Sequence, residues 1–265
     1  MHELTERQRR EREFYDEYAH RRSDEVVDFS PVLGEEQRPW NPYWYVYQSA
    51  VNFFSSPEQK LLDFGCGWGS RSIVFAKIGY HVTGFDICEQ NILECERRAT
   101  ELGFGDRTHF AVEVAEHLSF ENDSFDIITG IDVLHHVDVD QAIKEAYRVL
   151  KPGGMALFRE YVEVPIYDTL RNSRLILSLF PNGKSLDEHR TEDEHKLSSS
   201  QMRAILRTFP NHQIQRFCLV SRLHRLWPIR HPHKPSRLEM VDRHLFRWLP
   251  PIRPLGGEVV LVLRK

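Results

Sequence analysis

The chain has 265 residues, 41% of them hydrophobic and 28% charged, with a formal net charge of −4. That balance fits one large α/β domain with embellishments and excludes a disordered or low-complexity chain. No apolar run approaches the roughly 20 residues a membrane-spanning helix needs, and Met1 to Glu13 is charged throughout, without the apolar core of a secretory signal.

Thr5 to Arg22 is predicted as a helix capped by Thr5, with Phe14, Tyr15 and Tyr18 on one side. Val26 to Pro39 reads as loop. Trp40 to Tyr47 holds five aromatics in eight residues. Asn41 can cap a helix with Pro42 at its first position, running to about Phe54. These aromatics either line a pocket for an apolar or ring-shaped ligand or pack on the core. Residues 1–56 are thus expected to form a helical cap on a main domain spanning 57–265.

Leu61, Leu62 and Phe64 mark a short buried strand. Gly65-Cys66-Gly67-Trp68-Gly69 follows as a turn, then a helix from Ser70 to Lys77. Glycine permits positive φ and close approach of a ligand, and the helix start presents unpaired N–H groups. Tyr80 to Asp86 is a second strand ending in an acid, placed to accept hydrogen bonds from ribose hydroxyls. Dinucleotide folds want G-x-G-x-x-G. Here the spacing is G-x-G-x-G, with Ser70 where the last dinucleotide glycine would stand. Asp63, inside the motif, would also repel a pyrophosphate. A nicotinamide oxidoreductase is therefore disfavoured. Cys66 is either a reactive thiol or a small residue packed under the ligand.

Further along, Glu89 to Leu102 is predicted as a helix ending at Gly103, His109 to Val114 as a strand and Phe125 to Ile131 as another. Asp140 to Leu150 is an amphipathic helix stopped by Lys151-Pro152-Gly153-Gly154, and Met155 to Arg159 begins a fifth strand. Strands alternating with helices argue for a parallel, doubly wound sheet whose ligands sit at the strand carboxyl ends. Tyr167 to Phe180 and Ser200 to Phe209 read as helices, Gln213 to Val220 as a strand, residues 221–254 as a proline-rich basic insertion, and Gly256 to Arg264 as a closing strand. From Arg216 to Pro254 there are nine Lys/Arg against Glu239 and Asp242, whereas Met1 to Trp40 has eleven acids and seven bases. Such a bias attracts an anionic partner or simply faces solvent.

Cys66, Cys88, Cys95 and Cys218 show no C-x-x-C spacing. Neither a zinc site nor a disulfide framework is indicated, and a reducing cytoplasm is the expected compartment. The histidines at 189, 195, 224, 231, 233 and 244 lack an H-E-x-x-H or C-x-x-C anchor, so no metal is expected.

Asp63, Gly65, Gly67 and Gly69 match the D/E-x-G-x-G-x-G motif of the class I S-adenosylmethionine (SAM) methyltransferases. Glu116 to Asp126, Val133-Leu134-His135-His136-Val137 and Arg148 to Gly154 match later blocks of the UbiE-like, methyltransferase type 11 family. The four blocks cover about Lys60 to Tyr161, and Phe14 to Ala19 resembles the family's F-Y-D-x-x-A helix, which folds over the cofactor. The resemblance implies a Rossmann-like seven-stranded sheet of order 3-2-1-4-5-7-6, strand 7 antiparallel, with an insertion between strands 6 and 7. It implies SAM bound by Asp63, Gly65, Cys66, Gly67, Gly69, Asp86, Ile87 and Ala115, with Tyr15 or Tyr18 touching cofactor or substrate. One departure concerns adenine: Val114 stands where relatives carry an acid, so recognition falls to the Ala115 backbone, Glu113, Glu116 or apolar clamping.

The implied reaction is an in-line displacement at a sulfonium methyl, with a base if the nucleophile is protonated. The candidate bases are His136 and His135, after the fourth strand, one expected to point inward and the other outward, and then Glu160. The expected substrate is a small molecule, partly apolar or anionic, methylated at a hydroxyl of a natural-product, sugar or lipid-linked intermediate. The competing expectation is a non-catalytic SAM-fold protein that binds a partner through 216–254. Nucleic acid is not expected as a substrate, because no N/D-P-P-Y/W block follows the fourth strand; oligomeric state is left open.

Overall fold

The computed structural model describes residues 4–19, 26–33, 38–164, 195–222 and 236–265. The chain order is α1 (Glu6–Ala19), α2 (Ser30–Leu33), α3 (Pro42–Phe53), β1 (Lys60–Phe64), α4 (Ser70–Ile78), β2 (His81–Asp86) and α5 (Glu89–Glu101). Then come β3 (Thr108–Val112), β4 (Phe125–Ile131), a 3-10 turn (Leu134–His136), α6 (Val139–Val149) and β5 (Leu150–Tyr161). The last elements are α7 (Ser199–Thr208), β6 (Asn211–Phe217), α8 (Arg237–Trp248) and β7 (Glu258–Arg264). The seven strands form one sheet in the order β3-β2-β1-β4-β5-β7-β6. β7 runs antiparallel to both neighbours and the remaining pairs are parallel. This is the Rossmann-like order expected from the family blocks.

Alternate residues of each central strand serve opposite faces, as the two-residue strand period requires. Leu62, Phe64, Ile128, Phe158 and Leu261 join one core with Ala142 and Ile143 of α6 and Ile205 of α7. Leu61, Ile127, Leu157 and Val260 join the other, with Val46 and Ala50 of α3 and Phe75 of α4. Burial on both faces explains why these strands read as continuous apolar runs rather than alternating ones. Each such side chain contributes about 1.5–3 kcal/mol on leaving water.

Local signals place most helix starts. Asn41 accepts a hydrogen bond from the Trp44 N–H at 3.1 Å, with Pro42 opening α3. Asp138 caps α6 by accepting from Gln141 N at 3.1 Å. Ser198 and Gln201 close a capping box on α7.

Four boundaries differ from the expectations. The strand expected over Gln213 to Val220 runs Asn211–Phe217, because Leu219 N and Val220 N turn to Asp242 instead of a strand partner. The predicted 26–39 loop contains one helical turn, Ser30–Leu33, closed by hydrogen bonds from Val32 and Leu33 to the Phe29 carbonyl. The third strand ends at Val112, and Val114 instead bridges to His117 in a tight reversal. The stop at Lys151–Gly154 is already part of β5, because Leu150 pairs with Phe125 and Lys151 holds Asp126 at 2.8 Å. The helix expected at 167–180 lies outside the described residues. So does 223–235 of the insertion, whose remainder contains α8 and a 3-10 stretch, Pro250–Leu255.

Candidate active site

A cavity of about 530 Å³ opens at the carboxyl ends of β1, β2 and β4, roofed by α1. The crevice outside the strand ends is where open α/β sheets bind ligands. Gly65 and Gly67 line it. Gly65 sits at φ +71, and a Cβ there would lie 2.5 Å from Val133 Cγ2. Gly67 sits at φ +54 with open space where its Cβ would be, so the turn leaves bare backbone facing the cavity.

Asp86 ends β2 and also lines the cavity. It accepts from Gly67 N (3.0 Å), Cys88 N (2.9 Å) and Asn91 Nδ2 (3.1 Å). Burial raises its pKa from the ordinary carboxylate value, against the pull of those donors. The acid is therefore fixed in place at the cavity wall and tied to the glycine turn. Ile87 and Ala115 line the same end, with Glu113, Val114 and Glu116 beside them. Both acids are engaged. Glu113 accepts from Ser119, while Glu116 accepts from Arg7, from Gln8 Nε2 (3.0 Å) and from Asp138 N (2.8 Å).

Asp63, Gly69 and Cys66 stand apart from this wall. Asp63 is buried behind the turn, where it accepts from Ser72 Oγ (2.6 Å) and Thr129 Oγ1 (3.5 Å), tying α4 and β4 to β1. Burial pushes its pKa up to about 6. Gly69 caps α4 at φ +79, and a Cβ there would strike Cys95 Sγ at 2.8 Å. Cys66 lies 3.9 Å from Cys95 sulfur to sulfur, and burial pushes its thiol well up, which suits packing rather than reactivity.

The two histidines end the 3-10 turn after β4. Their rings lie side by side, centroids 4.1 Å apart, and both line the cavity. The expected inward–outward split therefore does not occur: the tight 3-10 turn brings both rings to the cavity, their planes tilted by 43°. They differ in their partners. His135 Nδ1 is 2.7 Å from Glu160 Oε2, and Glu160 Oε1 accepts from Val133 N (2.9 Å) and Leu134 N (2.6 Å). Glu160 is fully buried and anchors the turn from β5 without lining the cavity. His136 faces the roof, with Nε2 3.1 Å from Tyr15 Oη and Nδ1 3.3 Å from Glu11 Oε2. Tyr15, one of the two tyrosines singled out in the sequence, lines the cavity together with Phe14; the side chain of Tyr18 lies outside the described set.

Several site residues were not legible beforehand. Glu11 on α1 is 4% exposed, a carboxylate carried into the roof by a helix that reads as wholly polar there. Asp132, immediately after β4, adopts φ +59 and accepts from Tyr43 Oη at 2.9 Å. Arg159 is buried between the Tyr43 and Tyr161 rings, 4.5 and 4.0 Å from their centroids, and pairs with Asp132 and Glu258. Its strand-end position was the one available signal for Asp132. Arg71, in the first turn of α4, lines this cavity and a neighbouring one of about 290 Å³. Three of the five clustered aromatics, Tyr43, Trp44 and Tyr47, line that second space, while Tyr45 packs on Phe217. Trp44 Nε1 and Ser70 Oγ are buried there without a hydrogen-bond partner. Two unmet donors, the Arg71 guanidinium and the start of α4 meet in this space, which Asp28 and Arg38 line from the other elements, so a ligand carboxylate would find donors on the α4 side.

Among the described residues no group of three His, Cys, Asp or Glu could hold a metal ion, and no helix is long and apolar enough to cross a membrane. His195 approaches Gln201 Nε2 (3.0 Å) and His244 Nδ1 approaches the Met240 carbonyl (2.7 Å). His189, His224, His231 and His233 lie outside the described residues.

Residues 62–158 match a family model described as a methyltransferase domain. A 2-methyl-6-phytyl-1,4-hydroquinone methyltransferase of Synechocystis is 40% identical over 109 residues, 40% of this chain and 33% of that protein. A ubiquinone biosynthesis O-methyltransferase of Pseudomonas putida is 30% identical over 173 residues, 64% of this chain and 71% of that protein. The chain thus spans less than half the length of several relatives, 33% and 45% for the Synechocystis protein and a Cereibacter C-methyltransferase. In fold it resembles a geranyl diphosphate C-methyltransferase of Streptomyces coelicolor, TM-score 0.60 at 16% identity, covering 98% of each chain.

Proposed function

This chain belongs to the class I SAM-dependent methyltransferases of the UbiE-like type, and on that premise we propose that it methylates a hydroxyl of a partly apolar small molecule. The observation that carries the reading is His136 at the cavity wall, with Glu11 on one ring nitrogen and Tyr15 on the other.

The site fits the cofactor on its own features. Asp86 offers a fixed acceptor for the ribose diol. Ile87 and Val114 supply apolar walls for the adenine, and the Ala115 backbone is left to read its edge, since Glu113 and Glu116 are engaged. Gly65 and Gly67 provide a cradle that side chains would fill. Ser70 Oγ and Trp44 Nε1 are unmet donors for the carboxylate of an amino acid tail, with the Arg71 guanidinium beside them. When bound, SAM supplies an electrophilic methyl on a sulfonium.

The rest of the work belongs to the chain. Tyr161 and Val133 also line the cavity, and positioning of the acceptor against them lowers the barrier. His136 Nε2 takes the hydroxyl proton, directly or through Tyr15 Oη. Glu11 beside Nδ1 stabilises the imidazolium that results, as a carboxylate does for a catalytic histidine generally. His135, held by Glu160, sets the turn that aims His136.

The test uses SAM labelled at the methyl, the purified chain and a metabolite extract. A labelled product whose new methyl sits on oxygen is expected. Label on carbon or nitrogen, or no transfer despite SAM binding, overturns the reading.

A further inference from the structure

Helix α8 belongs to the basic stretch that the active site does not use. Its residues Arg237, Val241, His244 and Trp248 recur at helical spacing and share one stripe, with Arg243 and Arg247 running beside it. All six are exposed. The apolar members are unusually so: Trp248 is 71% exposed, Val241 43%, and Leu249, just past the helix, 50%.

The two acids of this helix are turned to structural use. Glu239 accepts from Ser236 N at 2.7 Å in a capping box. Asp242 is buried, accepting from Leu219 N (2.9 Å), Val220 N (2.6 Å) and Ser221 Oγ (2.6 Å). The outward face is therefore cationic and apolar together, without a carboxylate of its own. Arg247 lies over the Trp248 ring at 5.4 Å. A face meant only for water has no use for an exposed tryptophan flanked by valine and leucine. A nucleic-acid face would have polar donors where these apolar groups stand. Basic residues beside Trp and aliphatic side chains are the composition of a helix lying in a lipid headgroup layer, where indole favours the interface.

We infer that the outward face of α8 docks on a bilayer surface bearing anionic phospholipid. Arg237, Arg243 and Arg247 meet the headgroup charge, while Val241, Trp248 and Leu249 enter the boundary of the acyl chains. Docking there gives the chain access to substrates that partition into lipid.

The experiment is sedimentation of the full chain with phosphatidylcholine vesicles, with and without phosphatidylglycerol. Binding is expected only with the anionic lipid, falling as salt rises. Arg243→Glu with Arg247→Glu should weaken it roughly tenfold or more, and Trp248→Ser should weaken it while leaving the charge intact. Melting temperature and affinity for S-adenosylhomocysteine should not change, since these side chains are exposed. Wild-type chain that ignores anionic vesicles overturns the inference, as does unchanged binding by the charge-reversed variant. Retention by duplex DNA instead of vesicles, or self-association abolished by Trp248→Ser, assigns the face to another occupant and equally overturns it.

Discussion

Glu11 Oε2 lies 3.3 Å from His136 Nδ1, joining the roof helix to the turn after β4 with both side chains almost out of solvent. Replacing Glu11 by Gln keeps the shape and removes the charge beside the imidazolium. Turnover should fall about 10-fold to 100-fold, part of the roughly 10²–10⁴ a positioned base supplies. His136→Gln should lose the whole of that factor. Affinity for S-adenosylhomocysteine should survive in both. Steady-state kcat and KM measured together check this: a change confined to KM would mean Glu11 shapes binding rather than proton transfer.

Asp86→Ala should weaken cofactor binding by about 1.5–3 kcal/mol, the scale of hydrogen bonds to a charged group. Because Asp86 also accepts from Gly67 N and Cys88 N, the variant should melt lower as well. Calorimetric titration of the folded variant decides it; unchanged affinity would remove Asp86 from the ribose.

Arg71→Met should reduce affinity for S-adenosylhomocysteine while sparing 5′-methylthioadenosine, which lacks the amino acid tail. Trp44→Phe should do the same more weakly, since it deletes one neutral donor worth about 1 kcal/mol. Competition binding with the two ligands is the measurement. Equal losses for both would place the carboxylate elsewhere.

Asp63 has a folded pKa of about 6, raised above its ordinary value by burial. Below about pH 4 the proton is bound in both states, and the folded state loses nothing by burying this group. As pH rises toward 6 the unfolded chain ionises first, so stability falls and stays lower above pH 6, by about 3 kcal/mol at most. Asp63→Asn should remove that slope. Urea midpoints for both proteins between pH 4 and 7.5 should converge at the acid end and separate upward. A constant difference would mean Asp63 is not the group that titrates.

Glu160→Ala should act on folding rather than on chemistry. It leaves Val133 N, Leu134 N and His135 Nδ1 buried beside a void, and losing one partner of a buried charged network costs about 3–5 kcal/mol. Thermal melting shows it directly. A variant with normal melting and lost turnover would return Glu160 to the list of bases.

The sheet was readable because its strands are buried on both faces, so Leu61–Phe64, Phe125–Ile131 and Glu258–Arg264 present runs no surface segment would carry. The glycine turn and Asp86 were readable because spacing along the chain fixes them. Glu11 was not, because its partner lies more than a hundred residues away and only the docking of α1 brings the two together. The burial of Asp63 was not readable for a related reason. Its distance from Gly65 in sequence says nothing about which side of the turn its carboxyl takes, and Ser72 and Thr129 draw it inward. The Ser30–Leu33 turn escaped because one helical turn has no period to detect.

The roof helix is fastened at several points. Arg7 and Gln8 hold Glu116, Glu11 meets His136, and Cys88 donates to Asp16 at 2.9 Å. Any displacement of α1 from these contacts also separates Glu11 and Tyr15 from the imidazole. Roof and turn are thus one mechanical part: α1 carries Glu11 and Tyr15 on the same span that clasps Glu116 and Cys88, so the imidazole's two partners are positioned by the docking of a single helix.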